Sequence, residues 1–147
     1  MASSRSGVLD ALRVALQAID GTGSYNNSLT VVVEVPATPD VGKLPYAQLL
    51  RGEERYLDAG GALTQRSLDF LIEAWVKFSP PGENAADAAD NLLQDIDRAV
   101  AVDRSLGALA IDVKLTRNQQ FTSAAGDNLA VVVVEGTILY RHAHGSP

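Results

Sequence analysis

Cysteine is absent from the 147 residues, so the chain holds neither disulfides nor thiolate chemistry and suits a reducing compartment. Histidine occurs only at His142 and His144, in a tail that ends in Gly145 and Pro147. At that spacing an extended strand points both imidazoles one way, but no third metal ligand is nearby, and a solvated tail is the simpler reading. No Gly-x-Ser-x-Gly turn is present. The glycine-containing stretch 21–28 (GTGSYNNS) follows a helix and lacks the Gly-Lys-Ser/Thr ending of a phosphate loop. No apolar run approaches the roughly 20 residues that cross a bilayer; LAVVVV at 129–134 is the longest. Residues 1–21 scatter charges among their apolar positions and lack a signal-peptide core. The expectation is a soluble intracellular protein with no membrane contact, metal or cofactor.

Basic side chains are also scarce. Twelve Lys and Arg stand against eighteen Asp and Glu, for a net charge of −6, and the basic residues are scattered singly. A protein that grips phosphate backbones carries a basic stripe, so specific nucleic-acid binding is not expected. A negative surface suits a channel through which DNA passes without sticking.

What is present is enough for one domain, 1–147, with a core of its own. The apolar fraction is 46%, and a domain of this size buries roughly 70% of its unfolded surface. The strongest pattern is TQRSLDFLIEAWVKF at 64–78. Leu68, Phe70, Ile72, Ala74, Val76 and Phe78 alternate strictly, which predicts a long strand with one core face. Its other face carries Ser67, Asp69, Leu71, Glu73, Trp75 and Lys77, including the sole tryptophan. Leu71 and Trp75 are the misplaced apolar residues of that polar face. Aromatics dominate interface cores, which makes the pair candidates for contact with a neighbour or with the chain's own loops.

Around that strand the chain reads in order. Ser6 is a candidate N-cap for a first helix, in which Val8, Leu9, Leu12, Ala15, Leu16 and Ile19 recur at helical spacing before Gly21 and Gly23. Residues 29–35 (LTVVVEV) predict a strand closed by Pro36. Residues 36–63 are punctuated by Pro and Gly and hold a charged knot, Arg51, Glu53, Glu54 and Arg55. They predict an exposed, partly ordered arm with a partner role, in which PYAQLL forms at most a short strand. After SPPGEN, Asn84 caps a second helix at about 85–102 with Asp87 and Asp90 in its first turns. It buries Ala85, Ala89, Leu92, Ile96 and Ala99. A strand follows over 109–116, then a polar loop at 117–128 with Arg117, Gln120 and Phe121, and a last strand at 129–140. The expected fold is α+β: about four mostly antiparallel strands with two helices on one face, in the order α-β-(arm)-β-α-β-β.

A search for catalytic groups finds little. Asp69 and Glu73 share a strand face across Leu71, as a carboxylate pair would, but exposed strand carboxylates are commonly only solvated. Asp95 and Asp97 do not resemble a calcium loop.

The whole pattern resembles the tail terminator (tail completion) proteins of long-tailed bacteriophages. The resemblance is carried by the first helix ending in IDGTGSYNN, a strand and a proline-punctuated arm, the long strand FLIEAWVKF, an acidic alanine-rich helix with its DRSLG connector at 103–107, and two closing strands ending in LYRH. It covers nearly the whole chain as order and texture. It implies a non-catalytic structural virion protein: a hexameric ring of this chain at the head-proximal end of the tail tube that stops tube polymerisation and docks the head. The implied partners are further copies of itself, the tail tube protein and a head completion or connector protein, with DNA passing through unbound. The implied location is the virion tail, and the host cytoplasm during assembly. Arg51, Glu53, Glu54 and Arg55 are then ring or tube contacts, joined by Leu71 and Trp75. The loop with Arg117, Gln120 and Phe121 orders on docking. Two other readings stand beside it: a head–tail connector or neck ring of the same machine, and a small cytoplasmic enzyme or ligand-binding α+β domain using Asp69, Glu73 and Trp75.

Overall fold

A computed structural model of the chain describes residues 4–23, 25–33, 44–57, 63–79, 82–122 and 128–143. The elements are α1 (Arg5–Gln17), β1 (Thr30–Val33), β2 (Tyr46–Leu57), β3 (Leu63–Lys77), α2 (Ala85–Val102), β4 (Asp112–Thr122) and β5 (Leu129–Ala143). The five strands form one sheet in the order β1-β2-β3-β5-β4. All neighbours are antiparallel except β1 and β2. The fold is α+β with two helices and a mostly antiparallel sheet, as the alternation and the helical spacing implied. It has one more strand than expected. Tyr46–Leu57, placed in the arm from its Gly and charge content, is a twelve-residue strand paired on both sides. The remaining arm positions 36–43 and 58–62 lie outside the described residues.

The long strand is where the pattern put it. Leu68, Phe70, Ile72, Ala74 and Val76 are at most 6% exposed and join one apolar cluster with Leu9, Leu12 and Leu16 of α1 and Leu92, Ile96 and Ala99 of α2. Both helices therefore cover the same face. β5 contributes Ala130, Val132, Val134, Ile138 and Tyr140 to that face, each paired across the ladder with an even-numbered residue of β3. β4 runs to Thr122, well into the expected 117–128 loop, because each residue from Arg117 to Thr122 finds a partner on β5; positions 123–127 lie outside the described residues.

Local chemistry sets the helix ends. The N-cap of α1 is Ser4, not Ser6: Ser4 has extended dihedrals, and its hydroxyl accepts the Gly7 N–H at 3.0 Å. Asn84 caps α2 by accepting the Asp87 N–H at 2.8 Å. α2 also carries Asp95, whose side chain is fully buried. Its two oxygens accept the backbone N–H groups of Asn26 and Asn27 at 2.8 and 2.9 Å and both of their side-chain amides at 3.2 and 2.8 Å. A buried carboxylate is tolerated only when hydrogen-bonded this fully. Asp95 thus fastens the 25–28 loop to α2.

The α2–β4 connector is built around Asp103. Its carboxylate accepts the Ser105 N–H and hydroxyl and the Gly107 N–H, which hold its pKa below the usual carboxylate value. Leu106, Gly107 and Ala108 all have positive φ, 50°, 67° and 70°, and only the glycine adopts that conformation without strain.

Gly136 has a steric role. A Cβ there would lie 2.5 Å from the Lys114 carbonyl oxygen and 2.5 Å from the Phe70 ring; Phe70 is its partner on β3. The aromatic ring fills the place of the missing side chain at the centre of the sheet. Gly136→Ala is expected to destabilise the fold by about 3 kcal/mol through this overpacking, read as a lower urea midpoint with an unchanged m-value. A loss under about 0.5 kcal/mol would show that the ring and strand simply move aside.

Candidate functional site

The residues singled out in the sequence fall in three places. The first is the sheet face that neither helix covers. Trp75 stands opposite Tyr46 on β2 and Val131 on β5, and Val131 stands opposite Phe121 on β4. These four side chains form one apolar row across four strands. The Tyr46 and Trp75 rings are 5.9 Å apart at 39°, within the range of a favourable tilted pair. Exposure rises along the row: Tyr46 is 5% exposed, Trp75 and Val131 are half-buried, and Phe121 is 49% exposed. Leu71 lies on the same face, half-buried opposite Leu50. The sequence marked Leu71, Trp75 and Phe121 but not Tyr46 or Val131. Their signal lay in strand register, which only the fold supplies.

Charged pairs lie on the same face farther along the strands. Arg55 donates to both oxygens of Asp69 at 3.0 Å each. That places Asp69 in a forked ion pair and separates it from the carboxylate-pair role considered with Glu73, which faces Gln48 and Val133. That hydrogen bond and the Asp69 charge raise the Arg55 pKa, with a smaller contribution from Glu53. Arg117 reaches Glu135 at 3.4 Å. Gln120 is on the opposite, helix-side face, where its amide donates to Asp90 of α2 at 2.7 Å. Arg51 is exposed opposite Phe70, and Glu53 is exposed in the β2 bulge between Arg51 and Glu54.

The second place is a polar cluster under the start of α1. Glu54, from the charged knot, has a side chain only 9% exposed and receives three groups. Arg66 donates to it at 3.1 Å, the Arg5 Nε lies 3.2 Å away, and the Tyr140 hydroxyl donates at 2.7 Å. The Arg66 guanidinium also sits 4.6 Å over the Tyr56 ring. So the knot splits: Glu54 is a fold-holding anion, while Glu53 and Arg55 remain at the surface. His142, read as part of a solvated tail, is 2% exposed in β5 with its ring edge-on to Tyr140 at 6.3 Å. The strand continues through it because it pairs with Thr64 at the start of β3. His144 lies outside the described residues.

The third place went unmarked in the sequence. An apolar groove of about 430 Å³ runs between α1 and α2, lined by Ala11, Ala15, Ala18, Tyr25, Ala99 and Leu106. Val14 and Val102 on its rim are 54% and 74% exposed. The Asp95 clamp holds the loop that delivers Tyr25. Helix-spaced alanines read as core from sequence, and the groove exists because α1 and α2 leave space between them.

Among the described residues no group of three His, Asp or Glu side chains is placed to hold a metal, and no helix is long and apolar enough to cross a membrane. No family model and no curated protein matches the chain. A chain in the solved virion of a native gene transfer agent (GTA) particle aligns over 91% of this chain and 94% of its own, at 16% identity and a TM-score of 0.48. A likeness of that degree assigns neither family nor role.

The polar cluster has a pH signature. Burial, and then the Glu54 carboxylate, push the Tyr140 phenol up to about 12 from its ordinary 10. Below pH 10 the phenol is protonated in both folded and unfolded chains, and its contribution to stability is complete. Between pH 10 and about 12 the unfolded chain releases the proton first, so this contribution is lost as pH rises. Urea titrations of wild type and Tyr140→Phe across pH 8–11.5 are expected to converge above pH 10. Parallel curves would remove Tyr140 from the linkage.

Proposed function

We propose that the chain is a non-catalytic structural protein of a long-tailed phage virion, a tail terminator that rings the head-proximal end of the tail tube. In this reading copies of the chain close into a hexamer that stops tube polymerisation and presents the docking surface for the head connector. DNA passes through the ring without specific contact, in keeping with the net charge of −6. Two things support the reading. One is the sequence resemblance, whose quoted pieces occupy framework positions: YNN lies where Asp95 fastens the loop, DRSLG is the Asp103-centred turn, and FLIEAWVKF is the central strand.

The other, which carries the structural side of the argument, is the row Tyr46–Trp75–Val131–Phe121. It crosses a sheet face that neither helix covers and becomes more exposed toward the β4 edge. Apolar side chains so arranged suit contact with another subunit better than a reaction centre, since binding interfaces are anchored on aromatics. The ion-paired state of Asp69 gives the enzyme reading no carboxylate pair on this face.

Trp75→Ala tests the row. Its loss is expected to weaken ring assembly by about 2 kcal/mol per interface, measured by sedimentation or native mass spectrometry. The monomer should lose only about 1 kcal/mol, through the ring contact with Tyr46. A variant that unfolds while its folded fraction assembles normally would make Trp75 ordinary core. In a phage deprived of this chain, overlong tails are the expected result. Tails of normal length that fail to join heads would instead identify a neck or connector ring.

A further inference from the structure

The two outer strands of the sheet are β1 and β4, and they run in opposite directions. β1 is parallel to β2, and three antiparallel steps through β3 and β5 lead to β4. Among the described residues neither has a strand on its outer side. An edge strand exposes unpaired N–H and C=O groups that template a further strand.

The registers place these two edges at one height along the strand axis. Thr30 is level with Tyr46, Trp75, Val131 and Phe121, and Val33 is level with Leu49, Ile72, Val134 and Asn118. A second copy set beside the first by rotation about an axis along the strands brings β4 of one copy antiparallel to β1 of the next. Resting on the ring reading above, we propose that the subunits are joined in this way: residues 118–121 of β4 pair with Thr30–Val33 of the adjacent copy, so that one sheet runs through the assembly.

Charge and exposure support a second copy as the occupant. Glu53 is exposed in the β2 bulge. Lys114, exposed on β4, is level with Thr137, Asp69 and that bulge, so docking sets it at the height of the neighbour's Glu53. Symmetric pairing of β4 with β4 along its full length would instead set Lys114 of one copy opposite Arg117 of the other, and like charges facing each other across strands are unfavourable. Head-to-tail docking also carries the apolar row over the boundary. Phe121, its most exposed member, then stands beside Thr30 of the next copy, one strand from the next Tyr46. Such a heterologous contact generates a ring when its rotation closes.

The absence of cysteine makes the test clean. Thr30→Cys and Phe121→Cys combined in the full chain are expected to give, on mild oxidation, a ladder of cross-linked copies ending at one closed size, because facing residues of paired strands lie within disulfide reach. Each single variant should stay uncross-linked; covalent dimers from Phe121→Cys alone would mean symmetric β4 pairing and overturn the proposal. In the cysteine-free chain, Lys114→Glu should weaken association roughly two- to fivefold per interface, and adding Glu53→Lys should restore it. Copies that associate without a ladder and without response to charge reversal would overturn the edge pairing and leave the ring reading standing. Chains that never associate, alone or on tail tubes, would overturn both.

Discussion

The structure depends on the ladder between β3 and β5. Fifteen residues of each are paired in unbroken register, from Leu63 with Ala143 to Lys77 with Leu129. Both strands alternate, and a slip of one residue would turn Leu68, Phe70, Ile72 and Ala74 from the helices toward the other face. The burial of one face against α1 and α2 therefore fixes the register. The register in turn fixes which residues line up on the second face. Gly136 lies within this ladder because Phe70 and the bulged β4 backbone leave no room for a side chain.

The helix layer is tied to the ladder by polar contacts as much as by the core. Asp95 holds the loop after α1 to α2, Glu54 gathers Arg5 at the start of α1 with Arg66 and Tyr140 of the sheet, and Arg104 bonds the Val113 carbonyl and Asp112 where β4 begins. A buried carboxylate that loses its partners is strongly unfavourable, so these groups specify one arrangement of the helices. Asp69, Asp95, Asp103 and Glu54 are each engaged by donors of the chain itself. Among the described residues, the apolar or edge surfaces that no element covers are the second-face row, the α1–α2 groove and the outer side of β4.

That distribution is what a subunit of an assembly needs. These internal contacts hold the helices on the sheet, and the apolar side chains left at the surface supply contact area. The motifs that made the sequence resemble a phage tail protein belong to the rigid part. The surfaces that would distinguish a terminator from a neighbouring ring belong to the other part, where the sequence carries no distinctive signature.

The local sequence pattern carries the α+β class, the long two-faced strand, both helices and the Asn84 cap, because period-two and period-3.6 patterns and capping chemistry act over a few residues. It misjudged 46–57, where Gly52 and four charges hide a strand whose burial comes from β1 and β3. It also read Glu54 and His142 as exposed, although their partners lie 86 and 78 residues away in contacts such as Tyr140 with Glu54 and the Thr64 hydroxyl with the His142 carbonyl. Only the tertiary structure decided that Asp95 is a clamp, that Trp75 belongs to a row with Tyr46, Val131 and Phe121, and that the edges of β1 and β4 share one height. Each of these is a pairing between distant segments. Local residue chemistry cannot specify such pairings, because they follow from the register that the buried face imposes on the whole sheet.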